Sequence, residues 1–194
     1  VSAQTWIQLG QDIISDIPPV PPVTGSAALL DYFGEEVAIN DVGDIIAISD
    51  HRADNSSSVG ITKVFKWNGV SWSQMGQDIS SIDNGSSGWS VALSSDGNTI
   101  AIAEPSPFGN VSSTQFGLVA VYQFDNLANT WIQLGSNIIT NLGGAWFGKS
   151  VSLSNDGSIL AVGAHLASSG SGVLGTLTQW HGAAQIFKYN GSSW

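Results

Sequence analysis

Short apolar runs alternate with polar, glycine-rich breaks along the whole chain. Three stretches align without gaps, and each has the pattern of a strand, a tight turn and a second strand: FGEEVAINDVGDIIAIS from Phe33, SGWSVALSSDGNTIAIA from Ser87 and FGKSVSLSNDGSILAVG from Phe147. A glycine in each turn can adopt the positive φ that such hairpins need. The matched apolar positions predict buried strand centres at Val37, Val91, Val151, Ala47, Ala101 and Ala161.

Further strands follow each of these hairpins. The third strands are GITKVFKW from Gly60, GLVAVYQF from Gly117 and GAAQIFKY from Gly182, and fourth strands follow as WSQMGQDI from Trp72 and WIQLGSNI from Trp131. Four antiparallel strands in a period of about 60 residues predict an all-β fold of β-propeller-type four-stranded blades, with three repeats per chain. A β-sandwich of unrelated hairpins is the alternative, but that fold does not require three gap-free copies.

A separate copy of the fourth strand, WIQLGQDI, begins at Trp6, whereas the third repeat stops at Trp194, where its own fourth strand would begin. The chain therefore looks like a repeat array cut in mid-unit, with the remaining strand placed first. We divide it into an N-terminal donor-like strand, a proline-rich linker, two complete blades and a third blade that lacks its fourth strand. The predicted boundaries are 1–17, 18–30, 31–80, 81–139 and 140–194.

We expect the donor-like strand to complete the third blade of a neighbouring subunit by β-strand addition, because an open array leaves sheet edges exposed. Reciprocal exchange would close a six-bladed ring, and exchange without closure would give a filament. The linker is expected to keep the strand from folding back onto the first blade. The alternative is that the chain was excised from a longer array and the open edge is an artefact. The residues assigned to this assembly strand are Trp6, Ile7, Leu9, Ile13 and Trp194.

The motifs FGKSVSLSNDGSILAVGA and WIQLGSNI resemble the FG-GAP-type propeller repeats of integrin α-subunits. They are still more similar to the W-x-Q-x-G-x-D-I repeats of large surface proteins of marine bacteria and algae. The resemblance covers nearly all of the chain except the proline-rich segment, and it implies an extracellular or cell-surface location. Integrin repeats that bind calcium have a long acidic loop between the first two strands, whereas NDVGD, SSDGN and SNDGS are too short to supply six to eight oxygens. We therefore predict no metal site and no cofactor.

Charge and composition restrict the partners. The 194-residue chain has a formal net charge of −10 and only five Lys and Arg residues, which argues against nucleic acid and anionic membrane surfaces. No apolar run is long enough to cross a bilayer, and the lack of cysteine excludes disulfides and thiolate metal sites. Four N-x-S/T sequons would be candidate glycosylation sites in a secreted protein, at Asn55, Asn84, Asn110 and Asn190.

The spacing between strands varies on one side of the predicted blades. The links from second to third strand and from fourth to next first strand differ in length, and both lie on the same face of a blade. Loop variation on one rigid face is how repeat folds build binding surfaces. We interpret this face as a polar pocket for a sugar or a cation, with Trp180 for stacking; the alternative is ordinary solvated loops. The candidate ligand-binding residues are Asp50, His51, Asp54, Glu104, His165, Trp180 and His181.

The sequence has no nucleophile elbow, phosphate loop or spaced His pair, so we predict no catalytic residues and a protein that is not an enzyme. The leading hypothesis is a non-catalytic extracellular structural or adhesive propeller module that assembles by strand exchange with itself or associates with other surface proteins. The alternative is a glycan-binding, lectin-like propeller that uses the second-to-third-strand loops. We interpret the tryptophans that recur once per repeat as packing between blades: Trp6, Trp72, Trp131 and Trp194.

Overall fold

The computed structural model describes residues 5–16, 32–51, 60–80, 87–105, 117–140, 146–165, 167 and 181–194. These residues form thirteen strands and no helix, and every strand pairing is antiparallel. The predicted all-β, antiparallel fold is therefore confirmed. In the part of the chain that the structure describes, no helix has the length and apolar character that a membrane span requires.

The strands form three sheets in chain order. Sheet 1 has the order β1-β2-β3-β4, with β5 also paired to β3, and consists of β1 (Glu36–Ile39), β2 (Ile45–Asp50), β3 (Ile61–Trp67), β4 (Trp72–Gln74) and β5 (Ile79–Ser80). In sheet 2 the order is β6-β7-β8, with β9 and β10 both paired to β8: β6 (Ser90–Leu93), β7 (Thr99–Glu104), β8 (Leu118–Asp125), β9 (Thr130–Gln133) and β10 (Ile138–Ile139). Sheet 3 has the order β11-β12-β13: β11 (Phe147–Leu153), β12 (Ile159–Ala164) and β13 (Ala183–Lys188).

Side-chain hydrogen bonds close the turn between the first two strands of each sheet. In sheet 1, Asn40 Oδ1 accepts the backbone N–H groups of Gly43, Asp44 and Ile45, each at 3.0 Å. In sheet 2, Ser94 Oγ accepts the N–H of Thr99 at 3.0 Å, and sheet 3 has the same bond between Ser154 and Ile159. Asn and Ser side chains favour tight turns through bonds of this kind, so the polar residues before each turn glycine fix the hairpins.

The fourth strand is not the single run that the sequence predicts. In sheet 1 it is divided into β4 and β5, and in sheet 2 into β9 and β10, and both pieces pair with the third strand. The bend follows Met75, whose N–H donates to the carbonyl of Val64 at 2.7 Å, and the equivalent bond joins Leu134 to Val121 at 2.7 Å. The next residue is a glycine with positive φ, which turns the chain out of the strand.

Sheet 2 lies between the other two sheets. One of its faces packs against sheet 1 in a cluster that includes Ile45, Ala47, Val64, Ile100 and Trp131. The other face packs against sheet 3 in a cluster that includes Ala101, Val121, Phe147, Leu160 and Val162. The first strands of neighbouring sheets lie side by side, and their turns are joined by backbone bonds from Asp41 to Ser95 and from Ser95 to Asn155.

The predicted burial of the matched valines and alanines holds only where a neighbouring sheet covers them. Ala47, Ala101 and Val91 are buried between sheets. By contrast, Val37 is exposed, because it lies on the face of sheet 1 that points away from sheet 2. The matching alanine of sheet 3, Ala161, is only half-buried. Val151, on the face of sheet 3 that packs against sheet 2, is also only half-buried. The prediction was therefore wrong for Val37 and holds only in part for Ala161 and Val151.

Candidate functional site

A tryptophan at the start of the fourth strand connects each sheet to the one before it. Trp131 Nε1 of sheet 2 donates to the carbonyl of Met75 in sheet 1 at 2.8 Å. In the same way, Trp194 Nε1 donates to the carbonyl of Leu134 in sheet 2 at 2.8 Å. Both carbonyls lie at the bend of the preceding fourth strand. The repeated tryptophans therefore join neighbouring sheets.

The N-terminal segment, residues 5–16, makes the same contact with sheet 1. Trp72 Nε1 donates to the carbonyl of Leu9 at 2.9 Å. Gln11 Nε2 donates to the carbonyl of Trp72 at 3.1 Å, as Gln77 Nε2 donates to the carbonyl of Trp131 at 2.9 Å. The N-terminal segment thus occupies the position that the fourth strand of a preceding sheet would take, and it pairs with no strand among the described residues.

A glycine lets each tryptophan approach closely at the bend. Gly10, Gly76 and Gly135 have φ of 78°, 77° and 79°. A Cβ added at Gly76 would lie 2.8 Å from Cδ1 of Trp131, and one at Gly10 would lie 2.5 Å from the ring of Trp67. Both distances are too short for a real side chain, whereas a Cβ at Gly135 would lie 3.3 Å from Cδ1 of Trp194. A packed indole ring therefore requires glycine at positions 10 and 76, and the positive φ favours glycine at all three.

Lys63 binds the N-terminal segment to sheet 1 more firmly than the repeat contacts alone would. Its side chain is nearly buried, and its Nζ lies 2.6 Å from Asp16 and 3.3 Å from Asp78. Burial lowers the pKa of Lys63, but the hydrogen bonds and charges of Asp16 and Asp78 outweigh it and raise the pKa above the ordinary lysine value. Ala120 and Gln185 hold the matching positions of the other repeats, so this ion pair is particular to sheet 1.

The linker was expected to hold the N-terminal strand away from the first blade, and this expectation was wrong. The segment contacts sheet 1 through side-chain hydrogen bonds and an ion pair, although it does not pair with it as a strand. Trp6 is 99% exposed and Ile7 88% exposed, so the first half of the segment presents apolar side chains to solvent.

The outer faces of the two end sheets expose side chains whose repeat equivalents are buried. Val37 on sheet 1 is 55% exposed, whereas the matching Val91 of sheet 2 is 5% exposed. On sheet 3, Ile186 is 68% exposed, whereas the matching Val64 and Val121 are 0% and 1% exposed. Both end faces therefore have the apolar character of faces that are covered by a neighbouring sheet elsewhere in the molecule.

A row of aromatic rings crosses all three sheets at the edge where the first strands begin and the second strands end. The ring centroids are 5.0 Å apart for Tyr32 and His51, 4.7 Å for His51 and Trp89, 6.0 Å for Trp89 and Trp146, and 5.4 Å for Trp146 and His165. We call these five residues the aromatic row. Its contacts are tilted or edge-on, which is the preferred arrangement of aromatic pairs.

Charged side chains border the aromatic row. Lys149 Nζ lies 4.7 Å from the ring centroid of Trp89 and 5.9 Å from that of Trp146, within the range of a cation–π contact. His51 Nδ1 lies 2.7 Å from a carboxylate oxygen of Glu35. Glu35, Trp89 and Lys149 occupy the same position of the three repeats, directly after a glycine with positive φ. One repeat position therefore presents an acid, an indole and an ammonium group side by side.

The structure places the predicted ligand residues unevenly. His51 and His165 belong to the aromatic row, and His165 is exposed. Asp50 and Glu104, at the ends of β2 and β7, are buried, and the charge of Glu104 adds to the effect of burial in raising the pKa of Tyr122. Exposed His181 donates its backbone N–H to Ala167 at 3.2 Å and is not in the row. Asp54, Trp180, Asn55, Asn84 and Asn110 lie outside the described residues.

Other predicted positions have structural contacts. Asn190, the one sequon within the described residues, is exposed, and its Oδ1 accepts the N–H groups of Ser192 and Ser193 in a turn. The described residues include no group of three or more His, Asp or Glu side chains that could hold a metal ion. In the hairpin turns, the carboxylates of Asp96 and Asp156 accept hydrogen bonds from serine hydroxyls and backbone N–H groups.

Comparison with known proteins gives structural matches alone. No family model and no curated protein match the chain. It is similar to a candidate 6-phosphogluconolactonase from Bacteroides fragilis, at 16% identity and a TM-score of 0.45, over 66% of this chain and 31% of that one. A candidate 6-phosphogluconolactonase from Bacteroides uniformis matches at 11% identity and a TM-score of 0.45, over 80% of this chain and 40% of that one. The tricorn protease matches at 9% identity and a TM-score of 0.41, over 79% of this chain and 13% of that one. The chain spans less than half the length of each of these proteins.

These matches contradict the prediction that the protein is not an enzyme, since two of the similar structures are described as candidate 6-phosphogluconolactonases. We withdraw that prediction, because the lack of a recognised catalytic motif does not exclude catalysis. At these identities and TM-scores, the matches assign no activity to this chain. None of the three names FG-GAP repeats, so the resemblance to that family stays a prediction.

Proposed function

We propose that the chain is a β-propeller-type repeat module of a surface protein, and that it assembles with further copies of itself by exchanging the N-terminal segment. The observation that supports this most is the position of residues 5–16. They contact sheet 1 as the fourth strand of a preceding sheet, through the same tryptophan and glutamine bonds that join the described sheets. A fourth strand in this place needs a third strand beside it.

The outer edge of β13 is the matching partner. Sheets 1 and 2 have a fourth strand beside their third, whereas β13 has none among the described residues. In sheet 3 the motif tryptophan is Trp194, which already packs against Tyr189 of the third repeat, with ring centroids 5.3 Å apart. Trp6 of a second copy is therefore not needed at that position. By analogy with β8 and β9, the incoming strand pairs from Ile7 onward, with Ile7 opposite Lys188 and Gln8 opposite Phe187.

The end faces fit the same arrangement. If the N-terminal segment of one copy joins β13 of another, sheet 1 of the first copy comes to lie against sheet 3 of the second. The exposed Val37 and Ile39 then face the exposed Ile159 and Ile186. Burial of such side chains is favourable by about 25 cal/mol per Å² of apolar surface. The interface is head-to-tail, so repetition leads to a ring if the rotation closes and to a filament if it does not.

The test is the mass of the protein in solution, measured by light scattering after size-exclusion chromatography. We expect an oligomer for the intact chain and a monomer after deletion of residues 1–17. Ile13→Asp should also give a monomer, because Ile13 matches Ile79 and Ile138, which are buried beside the third strand. Trp6→Ala is the matched control and should leave the oligomer intact. A monomeric intact chain, or an oligomer that survives the deletion, contradicts the proposal.

The surface location is supported by the resemblance to repeats of large surface proteins. The acidic composition is compatible with this location, because a formal net charge of −10 favours the solubility of the assembled form. Surface labelling of intact cells with an antibody against the chain tests the location. Labelling only after permeabilisation would contradict the surface location, but it would not contradict the proposed assembly.

A further inference from the structure

We propose that the aromatic row and Lys149 form a binding site for a neutral oligosaccharide, distinct from the surfaces that mediate assembly. Trp89 and Trp146 are half-buried, so part of each residue is open to solvent, and Lys149 and His165 beside them are exposed. Binding sites for small ligands combine aromatic surface with a few placed polar groups. The row has this composition at the edge of three sheets, where its residues lie just before or just after strands.

The backbone at Trp146 is a second, independent observation. Its φ is 46°, in the left-handed region that bulky residues rarely adopt. A residue held in this region is strained and persists only where its surroundings fix it, and such residues cluster at ligand sites. Here the N–H of Lys149 donates to the carbonyl of Trp146 at 3.1 Å, and the indole packs between Trp89 and His165. The strained backbone aims one more indole into the row.

The charges around the row select a neutral ligand. A formal net charge of −10 repels a polyanion, and Glu35 lies within the same edge. A cation would have to displace Lys149 from the ring of Trp89, where the ammonium already lies 4.7 Å from the centroid. A neutral sugar is not repelled by the net charge and need not displace Lys149, because its hydroxyls can accept hydrogen bonds from the ammonium where it lies. Its C–H groups can pack against the solvent-open part of Trp146.

The polar groups of the site match hydroxyl chemistry. Lys149 offers three N–H donors, and the imidazole of His165 offers a donor and an acceptor. The Glu35 carboxylate, whose contact with His51 engages one oxygen, supplies acceptor capacity. Because the row spans all three sheets, a sugar chain of several units fits it better than a monosaccharide. We therefore assign neutral oligosaccharides rather than single sugars as the ligand class.

Titration calorimetry with defined probes tests the site: cellotetraose, maltotetraose, mannotetraose and laminaritetraose as neutral chains, tetragalacturonate as an acidic chain and choline as a cation. We expect saturable binding of at least one neutral tetrasaccharide with a Kd below about 1 mM. Lys149→Ala and Trp89→Ala should each weaken this binding about tenfold. Lys66→Ala and Leu127→Ala, which alter exposed residues away from the row, are matched controls and should not change it.

Several outcomes would overturn the proposal: no neutral tetrasaccharide binds, the two row variants bind as well as the controls, or tetragalacturonate or choline binds in preference. Circular dichroism checks that the variants are folded. If Trp89→Ala does not fold, exposed Lys149→Ala decides alone. Deletion of residues 1–17 should leave sugar binding unchanged, so that failure of the assembly and failure of this site are separate results.

Discussion

At the scale of single residues, the molecule depends on a few side chains whose partners are not neighbours in sequence. Lys63, Trp89 and Lys149 are examples. No sequence pattern pointed to Lys63, since its partner Asp16 is 47 residues away. For Trp89 and Lys149 a signal existed, because they share one repeat position with Glu35. The three side chains differ in type, however, so the position looked variable instead of functional.

Lys63→Met tests the ion pair that joins the N-terminal segment to sheet 1. The change removes the ammonium group between Asp16 and Asp78. Both carboxylates are exposed enough to be hydrated afterwards, so we expect the free energy that holds the segment on sheet 1 to fall by only about 1 kcal/mol. Hydrogen exchange of the amides at 8–13 should become several-fold faster, and Lys66→Met on the same strand is the matched control. Unchanged exchange in Lys63→Met would show that the segment is held without the ion pair.

The pH dependence of the same contact follows from the raised pKa of Lys63. A lysine whose folded pKa is above its unfolded value stabilises the folded state fully below the unfolded pKa and loses this contribution as pH rises through the folded pKa. The N-terminal segment should therefore stay docked at neutral pH and loosen only above the ordinary lysine pKa of 10.5. Loosening between pH 6 and 9 in the same exchange measurement would contradict the assignment.

Asp156 provides a second residue-scale prediction. Hydrogen bonds from the Ser154 hydroxyl and from the N–H and hydroxyl of Ser158 lower its pKa to about 2. A carboxyl group whose pKa is lowered in the folded state stabilises the folded turn fully at pH values above its ordinary pKa. This contribution is lost as the pH falls through about 2. Carbon-13 titration by NMR should give a midpoint near 2, and Ser154→Ala should move it upward. A wild-type midpoint near the ordinary aspartate value of about 4 would contradict this account.

At the scale of elements, the repeat predicted most strands and their order. The three hairpins and third strands are present, because alternating apolar residues and turn-forming Asn, Ser and Gly specify them locally. The broken fourth strand was not predicted. Gly76 and Gly135 look like ordinary strand glycines in sequence, whereas in the structure both have positive φ and lie against an indole from the next sheet. Contacts between sheets, which local patterns do not encode, therefore limited the prediction.

At the scale of the whole molecule, the three sheets are joined by one repeated set of contacts and end in two apolar faces. Burial at each repeat position depends on whether a neighbouring sheet is present, as Val37 and Val91 show. The sequence could predict the repeat, and the motif W-x-Q-x-G showed that the N-terminal segment matches the fourth strands, although this segment forms no strand among the described residues. It could not predict where residues 5–16 lie, because nothing local specifies the surface that they contact.

The central claim is that residues 5–16 of one copy pair with β13 of another, and a disulfide between copies tests it most directly. The chain has no cysteine, so Ile7→Cys and Lys188→Cys can be introduced separately into two differently tagged chains and mixed under oxidising conditions. Cross-strand partners lie within the Cα separation of about 4.4–6.8 Å that a disulfide spans. The account predicts a disulfide-linked heterodimer for this pair and little for Ile7→Cys with Lys66→Cys, because Lys66 holds the same position in sheet 1 but already pairs with Ser73. Equal cross-linking of both mixtures, or none with Lys188→Cys, would contradict strand exchange.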